Sequence, residues 1–173
     1  MTMKLIQTQT VASTGLNVWT LGSIPQTYET LICKIVVADS TAGTGRNDFA
    51  VVLNSDNTSG ANYYYSRFLF YDGANKLVDV SSTGSGSGHA MPGTGNGARF
   101  GSYELIIPNY TNTTINKVGH FQGGYASATN QSFINNVTFI NQNNTQAVSS
   151  ITLKAAGTGN FAIGSTVSIY GAN

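Results

Sequence analysis

What most constrains this chain is a rhythm. Short runs of β-branched and aromatic residues recur along it, each stopped by Gly, Asn, Asp, Ser or Pro. No window repeats apolar residues at the i, i+3, i+4, i+7 spacing of a helix. The runs are Lys4–Val11, Asn17–Leu21, Thr30–Ala38, Phe49–Asn54, Tyr63–Tyr71 and Lys76–Val80, then Ser102–Ile107, Ile115–Gln122, Phe133–Asn141, Val148–Leu153 and Thr166–Tyr170. Several alternate with the period of a strand: Leu31, Cys33, Ile35 and Val37 share one face, and Lys34 marks the other. Val167 and Ile169 likewise oppose Thr166, Ser168 and Tyr170. So many short strands, spaced by turns, mean a sandwich or a barrel, and a double-sheet jelly roll fits the count. The expectation is an all-β, jelly-roll-like antiparallel β-sandwich.

A length of 173 residues suits one domain, and an apolar share of 40% suffices for its core. Charge is the unusual quantity. Only 9% of the residues are charged, against roughly 25% in an ordinary soluble domain. Asn, Thr, Ser, Gly and Gln take their place, leaving a surface that hydrogen-bonds strongly and, at a net charge of +1, repels its own copies weakly. Nine Tyr, eight Phe and Trp19 are too many aromatics for a disordered tail. The single cysteine, Cys33, excludes an intrachain disulfide and reads as a small core hydrophobe. The start, MTMKLIQTQT, lacks the apolar stretch of a signal peptide, and no segment approaches the roughly 20 apolar residues of a membrane span. Synthesis in a cytoplasm without membrane partners is the expectation.

One segment stands apart. Residues 81–99, SSTGSGSGHAMPGTGNGAR, read as a flexible Gly/Ser-rich surface loop within a domain spanning 17–173. Its glycines lack both the G-x-G-x-x-G spacing and a Gly-Lys-Ser/Thr, so no phosphate loop is expected. Asp39, Asp48, Asp56 and Asp72 sit at strand ends and turns, where Asp bonds its own backbone. His89 and His120 have no ligand at metal spacing. Asn54-Ser-Asp56-Asn-Thr58-Ser-Gly60 places oxygen donors on alternate residues, but Tyr65 stands where a calcium loop has its bidentate Glu, and the segment reads as a hairpin turn. There is no G-x-S-x-G elbow. Five Lys and three Arg are scattered singly, without the basic footprint of a nucleic-acid binder. No catalytic residues, cofactor or metal is expected, and the chain reads as a non-enzyme.

Two features point to binding. The strand Tyr63–Tyr71 carries bulky groups on both faces. Phe68 and Phe70 with Tyr64 are assigned to the core, which leaves Tyr63, Tyr65, Arg67 and Tyr71 opposite, as covered core, a subunit interface or a glycan platform. Residues 1–16, with Met3, Lys4, Leu5 and Ile6, form either an edge strand or an arm that adds to a neighbour's sheet.

Three segments carry a resemblance: NVWTLGSIPQTYETL from Asn17, RFGSYELIIPNY from Arg99, and AVSSITLKAAGTGNFAIGSTVSIYG from Ala147. Together they resemble a group of tailed-bacteriophage virion structural proteins, over nearly the whole of 17–171. The resemblance implies a jelly-roll-like sandwich displayed on the virion as a homotrimer, either a capsid decoration (cement) protein or a tail-fibre module. Nothing resembling a fibre anchor or coiled coil precedes the module, which favours decoration on the capsid exterior, with the major capsid protein as partner and Met3, Lys4, Leu5 and Ile6 as the contact. The alternative is a tail-fibre receptor-binding module that takes host glycan in a groove containing Tyr63, Tyr65 or Tyr71. An enzymatic alternative, a depolymerase, requires a carboxylate pair within roughly 10 Å in a cleft.

Overall fold

Main-chain pairing decides the architecture, and the alternating runs supply its core. The computed structural model describes residues 2–41, 46–56, 62–71, 75–83, 87–93, 99–126, 132–142 and 145–173, without the side chains of 46, 71, 75–83 and 87–90. Twelve strands are described: β1 (Met3–Thr10), β2 (Val18–Leu21), β3 (Thr30–Val37), β4 (Arg46–Leu53), β5 (Tyr63–Tyr71), β6 (Asn75–Thr83), β7 (Ser87–Pro92), β8 (Gly101–Pro108), β9 (Lys117–Ala126), β10 (Ser132–Asn141), β11 (Ile151–Ala155) and β12 (Thr166–Ala172). One sheet runs β1-β12-β3-β8-β9-β10-β5-β6 and the other β2-β11-β4-β7. Neighbours within both are antiparallel.

The topology resolves when β5, β6, β9 and β10 are set aside. Renumbering the other eight from 1 to 8 turns the sheets into 1-8-3-6 and 2-7-4-5, which is the jelly roll. The remaining four strands are two inserted hairpins, β5–β6 between β4 and β7, and β9–β10 between β8 and β11. They join edge to edge and extend the larger sheet beyond β8. β7, at the edge of the smaller sheet, packs over β9, β10 and β5.

Between the sheets of the jelly roll the alternation predicted from sequence holds. Leu31, Cys33, Ile35 and Val37 of β3 are buried with Val167 and Ile169 of β12 and Leu105 and Ile107 of β8. Facing them are Trp19, Leu21, Phe49, Val51, Leu53, Ile151 and Leu153 of the smaller sheet. Each such side chain contributes roughly 1.5–3 kcal/mol by leaving water. Phe49 anchors the centre, edge-on to Tyr103, Phe121 and Phe161 at 5.6, 5.7 and 6.3 Å between centroids. Burial pushes the Cys33 thiol up to about 12, as befits an inert core residue.

Two sequence expectations are settled or corrected by the backbone. The N-terminal residues form an edge strand: β1 pairs with β12, and a register shift between Leu5 and Gln7 makes Ile6 the extra residue of a β-bulge. Ile6 packs against the core, while Met3 and Leu5 stay exposed. The segment 81–99 is not simply a loop. β6 extends through Thr83, and Ser87–Pro92 form β7, paired with β4 from Arg46↔Pro92 to Val51↔Ser87. Ladder hydrogen bonds come from the main chain, so Gly and Ser can complete an edge that β4 would otherwise leave open. Buried Met91 ties that strand down.

Candidate functional site: the outer face of the inserted strands

β5 fixes the character of this region. Its partner β10 sets Tyr63 opposite Asn141, Tyr65 opposite Phe139 and Arg67 opposite Val137. β10 alternates cleanly, with Phe133, Asn135, Val137, Phe139 and Asn141 buried. Residues directly opposite share a face, so Tyr63, Tyr65, Arg67 and Leu69 turn inward. Their exposures are 0%, 8%, 7% and 0%, against 41% for Tyr64, 37% for Phe68 and 44% for Phe70. The assignment of faces made from sequence is therefore inverted: Tyr63, Tyr65 and Arg67 are interior, and the aromatic face that solvent sees is Tyr64, Phe68 and Phe70. The Tyr71 side chain lies outside the described residues. Period-2 alternation gives a strand two faces but not the choice between them, and polar bonding makes that choice here. The Tyr63 hydroxyl accepts from the Leu53 N–H at 2.7 Å and from Asn141 Nδ2 at 3.2 Å. Arg67 crosses the sandwich to within 3.9 Å of Asp48 on β4.

The inner face of this extension is correspondingly polar. Arg67, Lys117, Asn135 and Asn141 are all buried there. Asn141 Nδ2 also donates to Asp56 Oδ2 at 3.1 Å, and Asn62 Nδ2 to Asp56 Oδ1 at 3.0 Å. Among the described residues, neither polar atom of the Asn135 side chain has a hydrogen-bond partner. Gly119 sits opposite Phe139, whose ring occupies the space of a Cβ at 2.2 Å, so only glycine admits it.

The outer face carries apolar side chains among its polar ones. Exposed Val118, intermediate Ile140 and exposed Tyr64 form one row across β9, β10 and β5. They wall an open groove of 350 Å³, floored by Thr138 and Ser66. Three rows from Ile140, Ile134, 57% exposed, lies directly across from Phe70. Phe68 and Phe70 meet edge to face at 4.4 Å. Beside them a shallow depression of 660 Å³ is lined by Lys34, Glu104, Gln122 and Asn136. There Lys34 pairs with Glu104, whose other oxygen accepts from Gln122 at 3.3 Å. The hydrogen bond from Lys34 holds the Glu104 carboxyl below its ordinary value.

The other candidate groups are engaged locally. Asp39 accepts from Asn47 at 2.7 Å and from the Asn160 N–H at 3.1 Å. Asp56, the one carboxylate of the calcium-like segment, is held by Asn62 and Asn141 as above, and residues 57–60 lie outside the described residues. His120 reaches Thr138 Oγ1 at 3.3 Å. The side chain of His89 and the glycines at 84, 86, 95 and 97 lie outside the described residues. Among the described residues, no three His, Cys, Asp or Glu gather as metal ligands, and no helix is long and apolar enough to cross a membrane.

No protein-family model matches this chain, and no curated protein matches it. A chain from "Structure of infectious bursal disease virus Gx strain" aligns at 13% identity over 99% of this chain and 41% of that one, with a TM-score of 0.13. This chain thus spans well under half of that viral chain, and so low a score carries no argument about fold or function.

Proposed function

We propose that this chain is a bacteriophage virion structural protein, a capsid decoration (cement) protein that associates as a homotrimer and binds the major capsid protein lattice on the capsid exterior. One observation carries the reading: the inserted strands present apolar side chains outward, on a chain too poor in charge to keep copies apart. Tyr64, Phe68, Phe70, Val118 and Ile134 leave apolar area in water that burial in the subunit would remove. Exposed apolar groups gathered on one face, with polar residues such as Ser66, Asn136 and Thr138 among them, are the composition of an interaction surface. The resemblance of the three sequence segments supplies the trimer and the capsid as partners. The open edge of β1, with Met3, Lys4 and Leu5, offers main-chain donors and acceptors and two exposed apolar groups to the shell. Ile6 is committed to the subunit's own core.

The mechanism is linkage. A protein that binds only the assembled lattice stabilises it by mass action, and three-fold repetition turns weak contacts into avidity. No catalytic centre is needed. The glycan alternative loses its groove residues Tyr63 and Tyr65 to the interior, and no observation favours it.

Sedimentation of the purified chain, alone and with Ile134→Ser plus Phe70→Ser, tests the assembly. The expected result is a trimer that the double substitution converts to folded monomer. Quantified gels of purified particles test the location, with copies expected in proportion to the capsomers. A monomer at all concentrations, or a few copies per particle, overturns the proposal.

A further inference from the structure

Lys117 opens β9 and lies opposite Asn141, the last residue of β10. It is 2% exposed, so its charge does not reach solvent along the stem as a surface lysine's does. Among the described residues the ammonium has no carboxylate partner; it donates instead to three main-chain carbonyls, those of Asn112, Ile115 at 2.9 Å and Thr145 at 2.9 Å. Three donors meet three acceptors, the full capacity of the group. The cage is built by sequence. The Asn112 side chain accepts from the Thr114 and Ile115 N–H groups at 2.7 and 3.1 Å, curling the turn so that its carbonyls converge. Burial lowers the Lys117 pKa from its ordinary value by desolvating the charge, and the three carbonyl contacts act in the opposite direction, favouring the ammonium.

The carbonyls come from both sides of an insertion. Asn112 and Ile115 belong to the connection from β8 into β9, and Thr145 to the connection from β10 to β11. We propose that these carbonyls form a site for a monovalent, N–H-donating cation, which the chain fills with its own Lys117 ammonium, and that this pin clamps the entry and exit of the β9–β10 hairpin to the jelly roll. The clamp sets the position of the outer apolar face relative to the core. It stands independently of the capsid reading, since it concerns only how that face is held.

Competitive acylation of the native chain, read by mass spectrometry, tests the site without any substitution. Lys117 is expected to react at least about tenfold more slowly than exposed Lys4, because reaction requires local opening; equal rates overturn the proposal. In Lys117→Ala the melting temperature is expected to fall by about 5–10 °C, with faster deuterium exchange at 109–116 and 145–148. Methylammonium chloride is expected to restore much of the loss, and tetramethylammonium chloride, which has no N–H, to restore none. Equal effects of the two salts overturn the cation site. If the alanine variant does not fold, labelling of the native chain decides.

Discussion

The two halves of the larger sheet are built on opposite plans. In the jelly-roll half, β12, β3 and β8 bury Val167, Ile169, Leu31, Cys33, Ile35, Leu105 and Ile107 and turn a mainly polar set outward, Thr166, Ser168, Lys34 and Glu104 with Val36 and Tyr170. In the inserted half, β9, β10 and β5 bury Lys117, Asn135, Asn141 and Arg67 among their aromatics and expose Val118, Ile134, Tyr64, Phe68 and Phe70. The first plan is what folding alone selects. The second leaves apolar groups in water outside and, within, desolvates the Asn135 amide, which has no hydrogen-bond partner among the described residues. Such an arrangement persists where something other than folding of the lone subunit uses it, and the use proposed above is a surface for copies of the chain.

The contrast can be broken at four points. Leu105→Ala, in the jelly-roll half, is expected to cost about 3 kcal/mol through lost transfer energy and a residual cavity. Urea unfolding measures it, with Cys33 labelling as a second readout because the thiol is reachable only on unfolding. A cost under about 1 kcal/mol would mean that this half is not the tightly packed one. Asn135→Leu, in the inserted half, is expected to raise stability by about 1 kcal/mol, since it removes a buried amide with no described partner and places an apolar group beside Leu69. A loss there would show that the amide is satisfied in solution. Ile134→Ser with Phe70→Ser is expected to shift subunit stability by no more than about 0.5 kcal/mol while abolishing association.

The smallest effect concerns the boundary between the halves. Glu104 has its folded pKa lowered below the ordinary 4.5, chiefly by the Lys34 hydrogen bond. Its contribution is therefore complete above that ordinary value and is lost as pH falls through the lowered one. Lys34 is half exposed, so the pair is worth no more than a few tenths of a kcal/mol. Glu104→Gln is expected to flatten the acid limb of the stability profile and leave neutral pH nearly unchanged. An unchanged acid limb would remove this pair from the account.

Sequence reasoning reached the jelly-roll half almost residue by residue, because there hydrophobic alternation and burial have the same cause. β3 and β12 are the clearest instances. β5 shows where that reasoning stops: its bounds, Tyr63–Tyr71, were legible, yet its two faces are both bulky, and only pairing with β10 and the bonds of Tyr63 and Arg67 select the inner one. The candidate surface was thus located on the right strand and read from the wrong side. β7 was hidden for a different reason, since an edge strand held by its backbone needs no β-forming side chains. The Lys117 pin had a faint signal, a lysine entering an apolar strand just after an Asn/Thr turn, but its three acceptors are carbonyls, which any residue supplies.

The pairing of β1 with β12 has a practical corollary. Thr2 and Asn173 are joined by a main-chain hydrogen bond of 3.2 Å, so head and tail of the chain meet at one margin of the larger sheet. Seven inter-strand steps, roughly 34 Å, separate that margin from β6. A cargo fused to either end would leave from the same place and hang clear of the aromatic surface. A linker of a few residues could also close the chain into a ring, ready to be reopened elsewhere.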